Sequence, residues 1–159
     1  MTEREVAVLL AELEAVHRNW ETKPGMLTLW HDALSDLPGD AVVAAARRWR
    51  RSHPFPPAVA DLRRLVADDA GLLSPPLEVA WQQALARDTD AHPAVVAARD
   101  AVGDQWRWRT EEQQWLLRDF RDFYNETRKR FDEETVTGDV LALGGATSMK
   151  QLPGGVTDE

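Results

Sequence analysis

LWHDALSDLPGDAVVAAARRWRRSHPFPPAVADL, residues 29–62, is the stretch on which the fold turns. Its apolar residues fall three and four apart. Trp30, Ala33, Leu34 and Leu37 share one face, and Val42, Ala45, Ala46 and Trp49 share the next. That is the helical period, not the alternation of a strand. Pro38-Gly39-Asp40 interrupts the pattern and opens a new helix. His53-Pro54-Phe55-Pro56-Pro57 stops that helix, because proline lacks the amide hydrogen a helix interior needs yet suits the first turn of the next one. Val59, Leu62 and Val66 then resume the period.

Working outward, Thr2 and Glu5 form a capping box. Val6, Leu9, Leu10, Leu13 and Val16 continue a first amphipathic helix to about His17. Lys23-Pro24-Gly25 is a turn, and Met26 belongs to the helix carrying Trp30. Toward the C-terminus the chain breaks at Gly71-Leu72-Leu73-Ser74-Pro75-Pro76. Ser74 is expected to cap a fifth helix bearing Leu77, Trp81, Ala84 and Leu85. His92-Pro93 opens a sixth with Val95, Ala98 and Val102. Thr110 with Gln113 reads as a second capping box that starts the longest helix, whose face holds Leu116, Phe120, Phe123, Tyr124 and Phe131. No sustained period-two run and no Asn-Gly or Asp-Gly hairpin occurs. From Thr135 glycines punctuate a segment without helical period. The expected architecture is all-α: a compact helical N-terminal domain over 1–70, a helical second half over 74–134 and a flexible tail over 135–159.

Composition narrows what such a protein does. Its 159 residues are 43% hydrophobic, enough for a packed core. There is no cysteine, so disulfides and thiolate metal sites are excluded, which fits a reducing compartment. No apolar run approaches the roughly 20 residues of a membrane helix, and the start of the chain does not read as a signal peptide. The expected location is cytoplasmic, with no membrane contact. The net charge of −8 makes the chain a poor non-specific DNA binder, because that affinity comes from Lys and Arg neutralising phosphates. Any weak DNA contact would have to come from a local patch before Thr135.

Catalytic chemistry is missing. His17, His31, His53 and His92 are scattered, without the spacing of a zinc helix. His31 and Asp32 are adjacent and so point about 100° apart on a helix, a poor acid–base pair. Gly144-Gly145-Ala146-Thr147-Ser148-Met149-Lys150-Gln151 lacks the Gly before the Lys and the Ser or Thr after it that a phosphate loop needs, and no strand precedes it. The expectation is no enzyme, no cofactor and no metal.

Three features could bind a macromolecule. In Arg47-Arg48-Trp49-Arg50-Arg51, helical spacing sends Trp49 inward and gathers Arg47, Arg48 and Arg51 on the opposite face, with Arg50 at its flank. This is either an electrostatic patch or a solvated face favoured by the helix dipole. In the tail, Val140, Leu141 and Leu143, with Leu152 and Val156 beyond them, are apolar anchors that could fold onto a partner, or an inert terminus. Trp106-Arg107-Trp108-Arg109 is either a stacking ladder for single-stranded nucleic acid or an inter-helix loop whose tryptophans cover the core. The latter is favoured.

Three stretches carry a resemblance. They are His17-Arg18-Asn19-Trp20 closing the first helix, the Trp-centred Leu29-Trp30-His31-Asp32-Ala33-Leu34-Ser35-Asp36-Leu37, and Phe55-Pro56-Pro57-Ala58-Val59-Ala60-Asp61-Leu62. Over about residues 3–66 the chain resembles the small phage replicative-helicase loader/inhibitor proteins. The resemblance implies a helical N-terminal domain and, as partner, a hexameric DnaB-type replicative helicase in a bacterial host. It further implies delivery of that helicase to an origin-bound initiator, and restraint of its ATPase by a protein that is not itself an ATPase. In that family the C-terminal part is largely flexible and engages the helicase, whereas residues 75–134 here read as helical. Two alternatives stay open: a DNA-binding replication or regulatory protein using the arginine face, and a phage assembly chaperone using the apolar tail.

Overall fold

A computed structural model of the chain describes residues 1–138 and divides them into two compact units, meeting in sequence at Leu72 and Leu73. Among the described residues there are eight helices and no strand, so the protein is all-α.

The first unit holds α1 (Glu3–Val16), α2 (Met26–Leu34), α3 (Gly39–Ser52) and α4 (Val59–Asp69). The capping box forms as read: the Thr2 hydroxyl accepts from the Glu5 amide, and the Glu5 carboxylate accepts from the Thr2 amide at 2.7 Å. Those Thr2 hydrogen bonds hold the Glu5 carboxyl below its usual range. Gly25, at the N-cap of α2, has φ +82°, a left-handed conformation that costs glycine little and other residues more. Proline-bounded turns set the remaining ends, with Pro38 before α3 and the Asp61 carboxylate accepting the Ala58 amide at the start of α4. Helix α1 packs on α2, α2 on α4 and α3 on α4. The buried face of each helix is the apolar stripe read from the sequence: Val6, Leu9, Leu10 and Leu13, then Trp30 and Leu34, then Val42, Ala45 and Ala46, then Leu62 and Val66. Leu37 lies past the end of α2 but remains buried, because a turn hydrogen bond from its amide to the Leu34 carbonyl folds it back.

Two expected core residues depart. Val16, in the last turn of α1, is exposed. Trp49 is only half-buried, since local partners hold it: its indole N–H donates to the Phe55 carbonyl at 2.9 Å, and its ring stacks on His53 with centroids 3.7 Å apart.

The second unit holds α5 (Leu77–Ala86), α6 (Pro93–Val102), α7 (Gln105–Thr110) and α8 (Gln113–Thr137). Helix α6 lies along α8, and α5 packs on both. Small residues make this close approach possible: Ala80, Ala84, Ala94 and Ala98 are buried opposite Leu116, Phe120 and Tyr124. Tyr124 stacks on Phe120 and donates to the Pro75 carbonyl, and burial pushes its hydroxyl up to about 12.

Several expected details fail here. Ser74 does not cap α5; Pro76 takes that position. Ser74 is instead buried, and its amide donates to the Asp132 carboxylate of α8 at 2.9 Å. Thr110 does not cap the long helix. It ends α7, and its hydroxyl turns back to the Trp106 carbonyl at 2.9 Å. Leu85 and Phe123, at the margins of their stripes, are exposed. Helix α8 runs through Thr137, so Thr135 to Thr137, read as the start of a tail, are helical, and Thr135 is buried.

Candidate partner-binding surfaces

The arginine run occupies the last two turns of α3, where cations complement the helix dipole. All four arginines are exposed, but they are not equivalent. Arg48 is engaged by α4: it donates to Asp68 at 2.7 Å and also to Asp69. The hydrogen bond to Asp68 raises its guanidinium further above the usual arginine range. Arg47, Arg50 and Arg51 make no ion pair among the described residues. Among the described residues the arginines of this run without an ion pair are therefore Arg47, Arg50 and Arg51, while Arg48 of the candidate face is engaged within the unit.

Beside this run the chain turns through Pro54, Pro56 and Pro57. Phe55 sits at the crest of the turn, 74% exposed, with its carbonyl held by Trp49. The sequence reading used Phe55 only as part of a motif. An exposed aromatic between prolines is a legible signal, but exposure itself is not.

Arg63 of α4 was not singled out from the sequence. It is 9% exposed, chelates the Asp36 carboxylate at 2.6 and 2.8 Å, and donates to the Ala33 carbonyl at 2.7 Å. Such a bidentate pair fixes the α2–α3 turn against α4.

The Trp106–Arg109 stretch is not a loop. It forms most of α7. Trp108 packs on Trp81 and Phe120, whereas Trp106 is 71% exposed. Arg107 is tied down between Glu111, at 3.2 Å from Nη2, and Asp119, at 2.5 Å. Its hydrogen bonds hold both carboxyls below their usual values, and those bonds, Glu111's first, raise the guanidinium. One arginine and one tryptophan of the four thus serve the unit itself.

His31 Nδ1 and Asp32 Oδ1 stand 3.9 Å apart, beyond hydrogen-bond length. Among the described residues no three His, Asp or Glu side chains are grouped to hold a metal ion, and no helix is long and apolar enough to cross a membrane. Val140, Leu141, Leu143 and Leu152, and the Gly144–Gln151 segment, lie outside the described residues.

Comparison with the curated proteins gives no match, nor does comparison with the solved structures. Comparison with protein families does give one: residues 1–63 match the model of the G39P N-terminal domain. That span covers α1, α2, α3 and the start of α4, with Trp30, the arginine run and the Phe55 turn inside it. Over residues 1–63 the chain is thus similar to the G39P N-terminal domain.

Proposed function

We propose that this chain is a non-catalytic adaptor of phage DNA replication, acting in the cytoplasm of a bacterial host. It binds a hexameric DnaB-type replicative helicase, restrains its ATPase and hands it to an initiator at the origin. The observation that carries this reading is the match of residues 1–63 to the G39P N-terminal domain. The absence of catalytic chemistry expected from the sequence fits an adaptor. So does an acidic chain bearing a local cluster of unpaired arginines, which favours charge-complementary protein contacts over a general hold on DNA. Of the surfaces read from the sequence, Arg47 and Arg51 remain candidates on the first unit, and Val140, Leu141, Leu143 and Leu152 on the tail. Arg48 is a weaker candidate because Asp68 and Asp69 already occupy it.

Size-exclusion chromatography with the cognate hexameric helicase and a steady-state ATPase assay test the reading. The expected result is co-elution with a lowered ATPase rate. A hexamer that elutes alone and hydrolyses ATP at its free rate overturns it. A chain ending at Gly138 reports separately on the tail.

A further inference from the structure

The chain has little free length where it passes from the first unit to the second. Gly71, with φ +68°, closes α4, and the Leu72 amide then donates to the Ala67 carbonyl at 2.9 Å. Leu72 also packs on the core of the first unit. Two residues later the second unit already holds the chain. The Ser74 amide donates to Asp132 at 2.9 Å, and the Pro75 carbonyl accepts from the Tyr124 hydroxyl. Leu73 alone lies between the two anchors.

Residues 74–76 form a strap with few holds. Pro75 and Pro76 have no amide hydrogen, so Ser74 supplies the strap's only backbone donor. Both of its main partners come from one face of α8, because Tyr124, Arg128 and Asp132 are spaced by four. Tyr124 is fixed by its stack on Phe120. Asp132 stands in the last two turns of the helix, 6% exposed, with Arg128 at 3.5 Å as its ion-pair partner. The Ser74 hydroxyl is 3.5 Å from His92 Nδ1, at the limit of hydrogen-bond length, and adds little. A carboxylate on α8 that accepts an amide 58 positions away keeps its aim only while its own helical turn is wound. We propose that the strap is a latch on the joint between the units: the last turns of α8 hold residues 74–76, and unwinding those turns frees them. The free joint then grows from Leu73 alone to residues 73–76, about 10 Å of added slack at roughly 3.4 Å per residue. Whatever unwinds the end of α8 thereby slackens the joint. The latch needs no partner and is independent of the adaptor reading above.

Amide hydrogen exchange on the full chain, followed by NMR, tests the latch. The Ser74 amide reports on the strap and the Phe120 amide on the core of the second unit. Asp132→Ala is expected to speed Ser74 exchange roughly 10-fold, while Phe120 keeps its protection. Asp132→Asn keeps an accepting oxygen and is expected closer to wild type. Glu134→Pro, at an exposed position near the end of α8, breaks the helix there and is expected to free Ser74 as Asp132→Ala does, with Phe120 still protected. Asp122→Ala, at an exposed position of the same helix, is the control and should exchange like wild type. Unchanged Ser74 exchange in Asp132→Ala overturns the latch. Equal acceleration at Ser74 and Phe120 in that variant also overturns it, because Asp132 would then support the whole unit. A strap freed by Asp132→Ala but not by Glu134→Pro overturns the coupling to the end of α8.

Discussion

The two units are built from the same element by different chemistry. The first buries branched aliphatic side chains from four short helices and sets one ion pair, Arg63 with Asp36, deep at the α2–α3 turn. The second lines α5 and α6 with alanine and sets them against the aromatic face of α8, where Phe120 touches Tyr124, Trp81 and Trp108. Its ion pairs, such as that of Arg107, are more exposed than the Arg63 pair. Aliphatic stripes on short helices need proline turns and caps to aim them. An alanine-faced helix can lie along a long partner, and the large rings then fill the space. The family match falls wholly within the aliphatic unit.

The largest expected effect sharpens the aromatic side of this contrast. Phe120→Ala should destabilise the second unit by about 3–5 kcal/mol, since the ring is fully buried among other rings that cannot collapse into its space. Urea unfolding followed through tryptophan fluorescence measures it. A loss under about 1 kcal/mol would mean the ring cluster contributes little. A smaller effect tests the polar anchor of the first unit. Arg63→Met leaves the Asp36 carboxylate without its bidentate donor and should cost about 2 kcal/mol. If Arg63→Met/Asp36→Leu is no more stable than Arg63→Met, the loss does not arise from the Asp36 carboxylate losing this donor.

The smallest effect is a pH dependence confined to the second unit. Hydrogen bonds from Arg107 lower the Glu111 and Asp119 carboxyls below their ordinary values of 4.5 and 3.8. Their folded pKa values lie below the unfolded ones. Their stabilising contribution is therefore complete above the unfolded values and is lost as pH falls through the folded ones. Arg107→Gln should lower the melting temperature at pH 6, and the loss should shrink progressively as the pH is lowered below the unfolded carboxyl values. A loss that stays constant as the pH falls would show that Arg107 acts through packing alone.

Much of the fold was legible because helix signals are local. Apolar residues three and four apart, the Thr2–Glu5 box and the prolines at 38, 54, 56, 57 and 93 act on their near neighbours and behave as the chemistry of those neighbours dictates. The reading failed where a residue had a choice of partners. Ser74 had a local role as a cap and took a distant one with Asp132, 58 positions away. Thr110 could cap forward or bond backward, and it bonded backward to Trp106. The pairing within the arginine run was hidden for the same reason. Arg47, Arg48, Arg50 and Arg51 are alike in sequence, and only the approach of α4 decides that Arg48 is spent on Asp68 and Asp69.

By itself, then, the sequence determined that the described residues are all-α, where most of their helices begin and which stripe of most of them is buried, because a helix is specified by contacts within a few residues. Only the tertiary structure decided which charges remain free and which aromatics remain exposed. Arg63 is buried because Asp36 and the Ala33 carbonyl receive it, and Trp108 is covered because Trp81 and Phe120 meet it. Phe55 stands out because Trp49 and its flanking prolines hold its backbone at the crest of a turn. Free charge and exposure are properties of a surface, and a surface exists only once distant segments have packed.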